Sequence, residues 1–189
     1  MIRIGILGNI GSGKSFVAKK FGYPVFDADY EVSKLYKKDK KIFKKLKKEL
    51  PKQISSFPID KKEITNAILS NKFNLKKIIT IVHLEIRKVL KLFVKKNKNK
   101  KVVILDIPLL LENKINNKND ILVFVDSKKS EVEKRLKKRL NFNRKLINMF
   151  KKIQFSSSYK KRRSNFIIKN NFKKKSLNKS IKKILNEIL

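Results

Sequence analysis

An apolar run, IRIGIL at 2–7, passes straight into GNIGSGKS at 8–15. The spacing is Gly, four free positions, then Gly-Lys-Ser, met here by Gly8, Gly13, Lys14 and Ser15. Four of the five glycines fall between residues 5 and 13, in a chain that otherwise hardly uses glycine for turns. A strand, a curled loop and a helix in this order make a bowl of backbone N–H groups. Glycine reaches backbone angles that other residues avoid, and a helix N-terminus adds unpaired donors and partial positive charge. The pattern predicts a nucleoside triphosphate site for ATP or GTP. Backbone amides of Gly11, Ser12, Gly13, Lys14, Ser15 and Phe16 would hold the α- and β-phosphates. Lys14 would reach the β- and γ-phosphates, and the Ser15 hydroxyl would ligate Mg²⁺. The plainer alternative is a bare strand-to-helix turn.

The remaining pattern places that loop in an α/β fold. YPVFDAD (23–29), KVVILDIP (101–108), ILVFVD (121–126) and NFIIKN (165–170) read as four further short strands. Their apolar runs are nearly continuous, as in strands buried on both faces of a parallel sheet covered by helices. Apolar residues at helical spacing fill 30–100, among them Ile64, Ala67, Ile68, Ile78, Val82, Ile86 and Leu90. Basic helices are expected over 129–163 and a last helix runs to Leu189. The expectation is one domain, a three-layer α/β sandwich around a five-stranded parallel sheet. Its core would be 1–29, 101–128 and 164–189, with helical insertions at about 30–100 and 129–163 over the carboxyl edge of the sheet, where ligands bind in such folds.

Charge is the second conspicuous property. The formal net charge is +36, from 51 Lys and Arg against 15 Asp and Glu, and only seven of the basic residues are Arg. A basic chain can bind nucleic acid. Specific readers of nucleic acid, however, favour the planar fork of Arg, and here Lys is spread along the whole chain. The excess reads as compositional drift, with no specific nucleic-acid partner expected. The absence of Cys excludes a disulfide scaffold or a Cys-ligated metal and suits a reducing compartment. No run approaches the length of a membrane span, and MIRIGIL is too short for a secretory core, so a cytoplasmic location without membrane attachment is expected. Oligomeric state is not legible.

Among phosphate chemistries, NKND at 117–120 matches a guanine-reading pattern but precedes a strand where such a loop should follow one. A small kinase fits better, because phosphoryl transfer needs a cradle, a metal, positioned cations and a base for the acceptor. Asp29, in FDAD at 26–29, is suited to accept a proton from a hydroxyl; a helix cap is the equal alternative.

The motif order resembles the dephospho-CoA kinase family. The correspondences are GNIGSGKS, Asp27-Ala28-Asp29, His83 near the end of the helical region, Pro108-Leu109-Leu110-Leu111-Glu112 after the third strand, and Arg139, Gln154 and Lys160 ahead of Asn165–Asn170. The resemblance implies ATP-dependent phosphorylation of the ribose 3′-hydroxyl of dephospho-CoA, giving coenzyme A and ADP. It implies Asp29 as base and Arg139 as a lid arginine that stabilises transferring charge. Arg135, or a merely solvated basic face, is the alternative to Arg139. Pro108, Leu109, Glu112 and His83 would contribute to the acceptor site, although a lone His on an apolar stripe is more often a core residue, and Glu112 is equally a helix-start acid. Asp106 would stand behind Mg²⁺ or simply end its strand; Asn170 would lie near the adenine or form a turn. The alternatives carried are a nucleoside or nucleoside-monophosphate kinase on the same scaffold, and a nucleotide-binding RNA-associated protein. The chain departs from the family pattern at Asn9 (Gly), Leu84 (Pro), Leu140 (Asp), Asn165 (Asp) and in lacking a Gly after Asn170-Asn171.

Overall fold

The structure, a computed structural model, describes every residue except Asn141, which lies within the expected second helical insertion, and the side chains of Lys174 and Lys175. The chain forms two compact units. One comprises 1–27, 96–142 and 153–189, the other 28–95 and 143–152.

The first unit is built on a five-stranded sheet. Its strands are β1 (Ile2–Gly8), β2 (Val25–Asp27), β3 (Val102–Asp106), β4 (Ile121–Asp126) and β5 (Phe166–Lys169). They lie in the order β2-β3-β1-β4-β5, and every pair is parallel. The five apolar runs therefore form strands as expected. β1 and β3 pair from Ile2 against Val102 to Gly5 against Leu105, and β1 and β4 pair from Ile4 against Ile121 to Gly8 against Val125. All strands point the same way, so the loops leaving Gly8, Asp27, Asp106 and Asp126 share one edge.

Alternation along the strands separates the two faces. Ile4, Ile6, Val102, Ile104, Val123, Val125 and Ile168 form one buried cluster with Val17 and Ala18 of α1 (Lys14–Lys20) and with Phe21 at its C-terminal cap. Leu177, Ile181 and Ile184 of α9 (Lys174–Ile188) complete it. Burying a Leu- or Ile-sized side chain contributes roughly 1.5–3 kcal/mol, so this cluster is the main support of the edge that carries the glycine loop. On the other face, Leu7, Val103, Leu105, Leu122 and Phe124 are buried as well. Gly5 is small there because a Cβ would sit 2.6 Å from Leu110 and 2.9 Å from Leu122. Also in this unit are α6 (Lys129–Lys137) and α8 (Ser157–Arg162).

The second unit is helical: α2 (Ala28–Lys38), α3 (Lys40–Glu49), α4 (Lys61–Ser70), α5 (Lys72–Lys96, whose last residue belongs to the first unit) and α7 (Arg144–Ile153, whose last residue does likewise). Asp39 caps α3 by accepting from the N–H groups of Lys41 (2.8 Å) and Ile42 (3.0 Å), and Asp60 caps α4 through Lys62 N–H (2.8 Å). Ile78, Val82, Ile86 and Leu90 form the buried stripe of α5, as their spacing predicts.

The NKND segment has a structural use. Asp120 Oδ2 accepts from Asn117 N–H (2.9 Å), forming a turn ahead of β4. The same oxygen accepts from Arg3 Nη2 (2.9 Å), while Arg3 Nε lies 2.9 Å from Oδ1 without hydrogen-bond alignment. The Asp120 side chain is 2% exposed. Burial pushes its carboxyl up from the ordinary range, against the opposing pull of the Asn117 N–H and Arg3. Removing Arg3 would leave that acid without its counter-charge, so Arg3→Met is expected to destabilise the protein by about 3 kcal/mol. Urea denaturation at neutral pH measures this.

Candidate active site

The glycine loop leaves β1 at Gly8 and enters α1 at Gly13. Gly11 (φ 83°) and Gly13 (φ 90°) are in the left-handed region that other residues populate poorly. They are also crowded. A Cβ on Gly11 would meet Leu136 and Val132 of α6 at 2.9 Å, and one on Gly13 would stand 2.6 Å from Asn170 Nδ2. No side chain caps α1. The first helical hydrogen bond runs from Val17 N–H to the Gly13 carbonyl (3.0 Å), so the N–H groups of Lys14, Ser15 and Phe16 have no intrahelical acceptor. Ser12 N–H, by contrast, is spent on the Asn9 carbonyl (3.1 Å). Lys14 Nζ folds over the bowl to the same carbonyl (3.3 Å).

Two neighbours tie the loop down by one atom. The Ser12 carbonyl accepts from Ser127 Oγ (2.9 Å), just beyond β4, and from Asn170 Nδ2 (2.9 Å), just beyond β5. Asn170 is 4% exposed, and its Oδ1 accepts from Phe172 N–H (3.0 Å). Both ends of this amide thus serve the protein. Phe172, at φ 62°, lies against Gly13, and the Arg135 guanidinium stands 4.3 Å from its ring centre. Arg135 is therefore held at the loop's flank. Arg139 is exposed just past α6, its N–H donating to the Leu136 carbonyl (3.1 Å). Ser12 Oγ is buried and has no hydrogen-bond partner among the described residues.

At the end of β3, Asp106 is 4% exposed and directly opposite Asp27 at the end of β2. Burial raises the Asp106 pKa most; the Ser15 hydroxyl, which hydrogen-bonds it, and Lys14 oppose this, and Asp27 adds to it. The structure brings Ser15 and Asp106, both expected to serve a metal, within hydrogen-bonding distance. The sequence gives no direct sign that Asp27 joins them, because strand pairing, not proximity along the chain, brings the two acids opposite each other. A serine hydroxyl, a buried carboxylate and a second carboxylate are hard oxygen donors of the kind Mg²⁺ takes, with water filling the remaining positions. No group of three or more His, Cys, Asp or Glu suited to a metal occurs among the described residues, so any such ion would be shared with phosphate oxygens.

Beyond β3, Pro108 is partly exposed, and Leu109, Leu110 and Leu111 are buried. Glu112 Oε1 accepts from Phe155 N–H (2.9 Å) and lies 3.0 Å from Lys160 Nζ. Neither Lys160 as a charge partner nor Phe155 could be foreseen, because both are more than forty residues away in sequence. In the helical unit, Asp29 lies in the first turn of α2 and is exposed. His83 lies on α5, and burial followed by the charge of Arg87 lowers its pKa, so it is neutral at physiological pH.

Comparison with known proteins gives a consistent result. The family profile described as dephospho-CoA kinase matches residues 2–176. A dephospho-CoA kinase from Wolbachia sp. subsp. Brugia malayi is 33% identical over 190 residues, covering 98% of this chain and 97% of the relative. The crystal structure of TT1252 from Thermus thermophilus aligns with a TM-score of 0.78 at 27% identity, covering 100% of this chain and 98% of that one. The dephospho-CoA kinase from Campylobacter jejuni shares the fold at a TM-score of 0.63 and 21% identity, with 98% and 96% covered. With a phosphate loop of this geometry and a match along nearly its whole length, the chain belongs to the dephospho-CoA kinase family.

Proposed function

We propose that the protein transfers the γ-phosphoryl group of ATP to the ribose 3′-hydroxyl of dephospho-CoA, forming coenzyme A and ADP. The observation that carries this is the family match over residues 2–176, with relatives aligned over 98% of the chain. It favours neither the nucleoside-kinase nor the RNA-associated alternative.

The residues divide the work as follows. The N–H groups of Lys14, Ser15 and Phe16, with Gly11 and Gly13 giving the loop its curl, bind the phosphates; Lys14 turns from the Asn9 carbonyl to the β- and γ-phosphates. The buried Ser12 Oγ is an unmet polar atom within the same bowl. Asn170 holds the loop by the Ser12 carbonyl, beside the place the adenine would take. Ser15 and Asp106 would hold Mg²⁺, which, when bound, neutralises charge on the β- and γ-phosphates. The Asp29 carboxylate takes the proton from the acceptor hydroxyl as its oxygen bonds the γ-phosphorus, while the bond to the bridging oxygen breaks and leaves with ADP. Arg139 stabilises the charge on the transferring group. The segment 30–100, with His83, and the loop of Pro108 and Leu109 supply the acceptor contacts, whereas Glu112, expected among them, is engaged with Phe155 N–H and Lys160; 129–163 serves as the lid. Neutral His83 suits a hydrogen-bonding role rather than a charge.

Two measurements check this assignment. In an acceptor screen with ATP and Mg²⁺, dephospho-CoA is expected to be phosphorylated and AMP and thymidine not; transfer to the latter alone would refute it. Asp29→Asn is expected to lower kcat by at least about 100-fold while leaving the ATP Kd within about twofold.

Asp106 gives a pH-dependent test. Its folded pKa is raised by burial above the unfolded value, so the stability it contributes is full below the unfolded pKa and falls as pH rises through the folded one. Asp106→Asn is therefore expected to raise the melting temperature of the nucleotide-free protein at pH 7. That gain should vanish as the pH falls below the ordinary carboxylate range. The same substitution should weaken the Mg²⁺ dependence of turnover. A destabilised variant at pH 7 would contradict the reading.

A further inference from the structure

Lys160 is the only buried lysine among the described residues, at 1% exposure in a chain of net charge +36. Its ammonium stands 3.0 Å from Glu112 Oε1, and the Glu112 side chain is 8% exposed. The contact is an ion pair without hydrogen-bond alignment. Neither Lys160 Nζ nor Glu112 Oε2 has a hydrogen-bond partner among the described residues. Taking two charges out of water costs more than their attraction returns unless geometry and hydrogen bonding are nearly complete. Here they are not, so net stability does not account for the pair. What the pair supplies is placement.

Its surroundings show what is placed. Glu112, on the segment after β3, holds α8 at two points, Phe155 N–H ahead of the helix (2.9 Å) and Lys160 within it. Lys161 pairs with Asp126 at the end of β4 (2.7 Å). On the first residue of α8, Ser157 Oγ accepts from Asn9 Nδ2 of the glycine loop (2.7 Å). The segment 155–161 thus touches the segment that follows β3, the end of β4 and the phosphate loop. The bonds to Asn9 and from Phe155 are exposed and the Lys161–Asp126 pair is half-buried; of these contacts the Glu112–Lys160 pair alone is deeply buried.

We propose that Glu112 and Lys160 are a positioning pair for phosphoryl transfer. Their attraction sets where α8 stands and, through Ser157 and Asn9, the posture of the glycine loop that receives ATP. The pair touches no reacting atom and acts through the backbone it holds. This rests on the kinase activity proposed above.

The test compares Lys160→Met, Glu112→Gln and the double variant Glu112→Leu/Lys160→Met with the parent, by thermal melting, by amide hydrogen exchange and by steady-state kinetics. Each single variant leaves one buried charge unpaired and is expected to melt far below the parent. The double variant leaves none and is expected to melt close to the parent, so it decides the matter even if the single variants do not fold. In the double variant, exchange over 155–161 is expected to be at least about tenfold faster, because local opening no longer breaks a buried pair. The KM for ATP is expected to rise about tenfold, with that for dephospho-CoA within about twofold, because a displaced loop misplaces the phosphates. Parent-like exchange and ATP KM in the double variant would reduce the pair to a stabilising contact and overturn the proposal. A rise confined to the dephospho-CoA KM would overturn it too, placing Glu112 at the acceptor instead. If the parent phosphorylates no dephospho-CoA, the activity reading fails on its own, and exchange together with calorimetric ATP binding still judges the pair.

Discussion

The site depends on a backbone constraint at Gly13. There the chain must hold φ at 90° while the amide of Asn170 occupies the space a Cβ would take. One residue later α1 begins, its first N–H groups without intrahelical acceptors and with no side-chain cap to compete for them. The same carbonyl, that of Ser12, is gripped from beyond β4 by Ser127 and from beyond β5 by Asn170. β1, β4 and β5 are adjacent in the sheet, so the strand order itself puts those two donors within reach. Sheet register, loop curl and anion site are thus one arrangement, and a side chain at Gly13 would disturb all three.

Acidic residues are scarce, and the structure uses them at points where position matters. Of the fifteen, Asp39 and Asp60 cap helices, Asp120 secures the start of β1, Asp126 and Glu112 secure α8, and Asp27 and Asp106 stand together beside the glycine loop. The lysines, by contrast, are almost all exposed. Self-repulsion among them works against the compact state, and each buried or half-buried acid offsets part of it locally. This distribution fits the reading of the lysine excess as composition carried on the surface, around a small set of acids that the fold uses.

The five strands were legible because a continuous apolar run between turn residues has few other uses, and the glycine loop because its chemistry demands a fixed spacing. The long helical region 30–100 was legible as helix but not as four helices, since boundaries such as Asp39 and Asp60 look like any other acid until their side chains turn back on the chain. Site residues divide the same way. Ser15 and Asp106 could be joined from sequence, because the first turn of α1 follows the loop after β1 and Asp106 ends the neighbouring β3. The opposition of Asp27 to Asp106 depends on parallel register, and the pairing of Lys160 with Glu112 spans 48 residues; neither leaves a periodic trace. The guanine-like NKND is the converse case, a local pattern whose real use is a turn from Asn117 to Asp120 and an ion pair to Arg3.

The departures from the family pattern bear on whether the loop still works, and each finds a physical accommodation. Asn9, in place of glycine, gives its amide to Ser157. Leu84, in place of proline, keeps a backbone donor, and α5 runs without a break from Lys72 to Lys96. Asn165, in place of aspartate, offers Oδ1 to Leu122 N–H at 2.8 Å, a bond for which an amide oxygen serves as a carboxylate would. Leu140 is fully exposed and carries no packing. The missing glycine after Asn171 is the costliest, since Phe172 takes up φ 62° at about 1 kcal/mol or more. Its ring, however, lies against Gly13 and under Arg135, and a cation over an aromatic face returns about 0.5–1 kcal/mol at an exposed site. Strain and contact are of the same order there, so the substitution costs the glycine loop little and gives it a second wall.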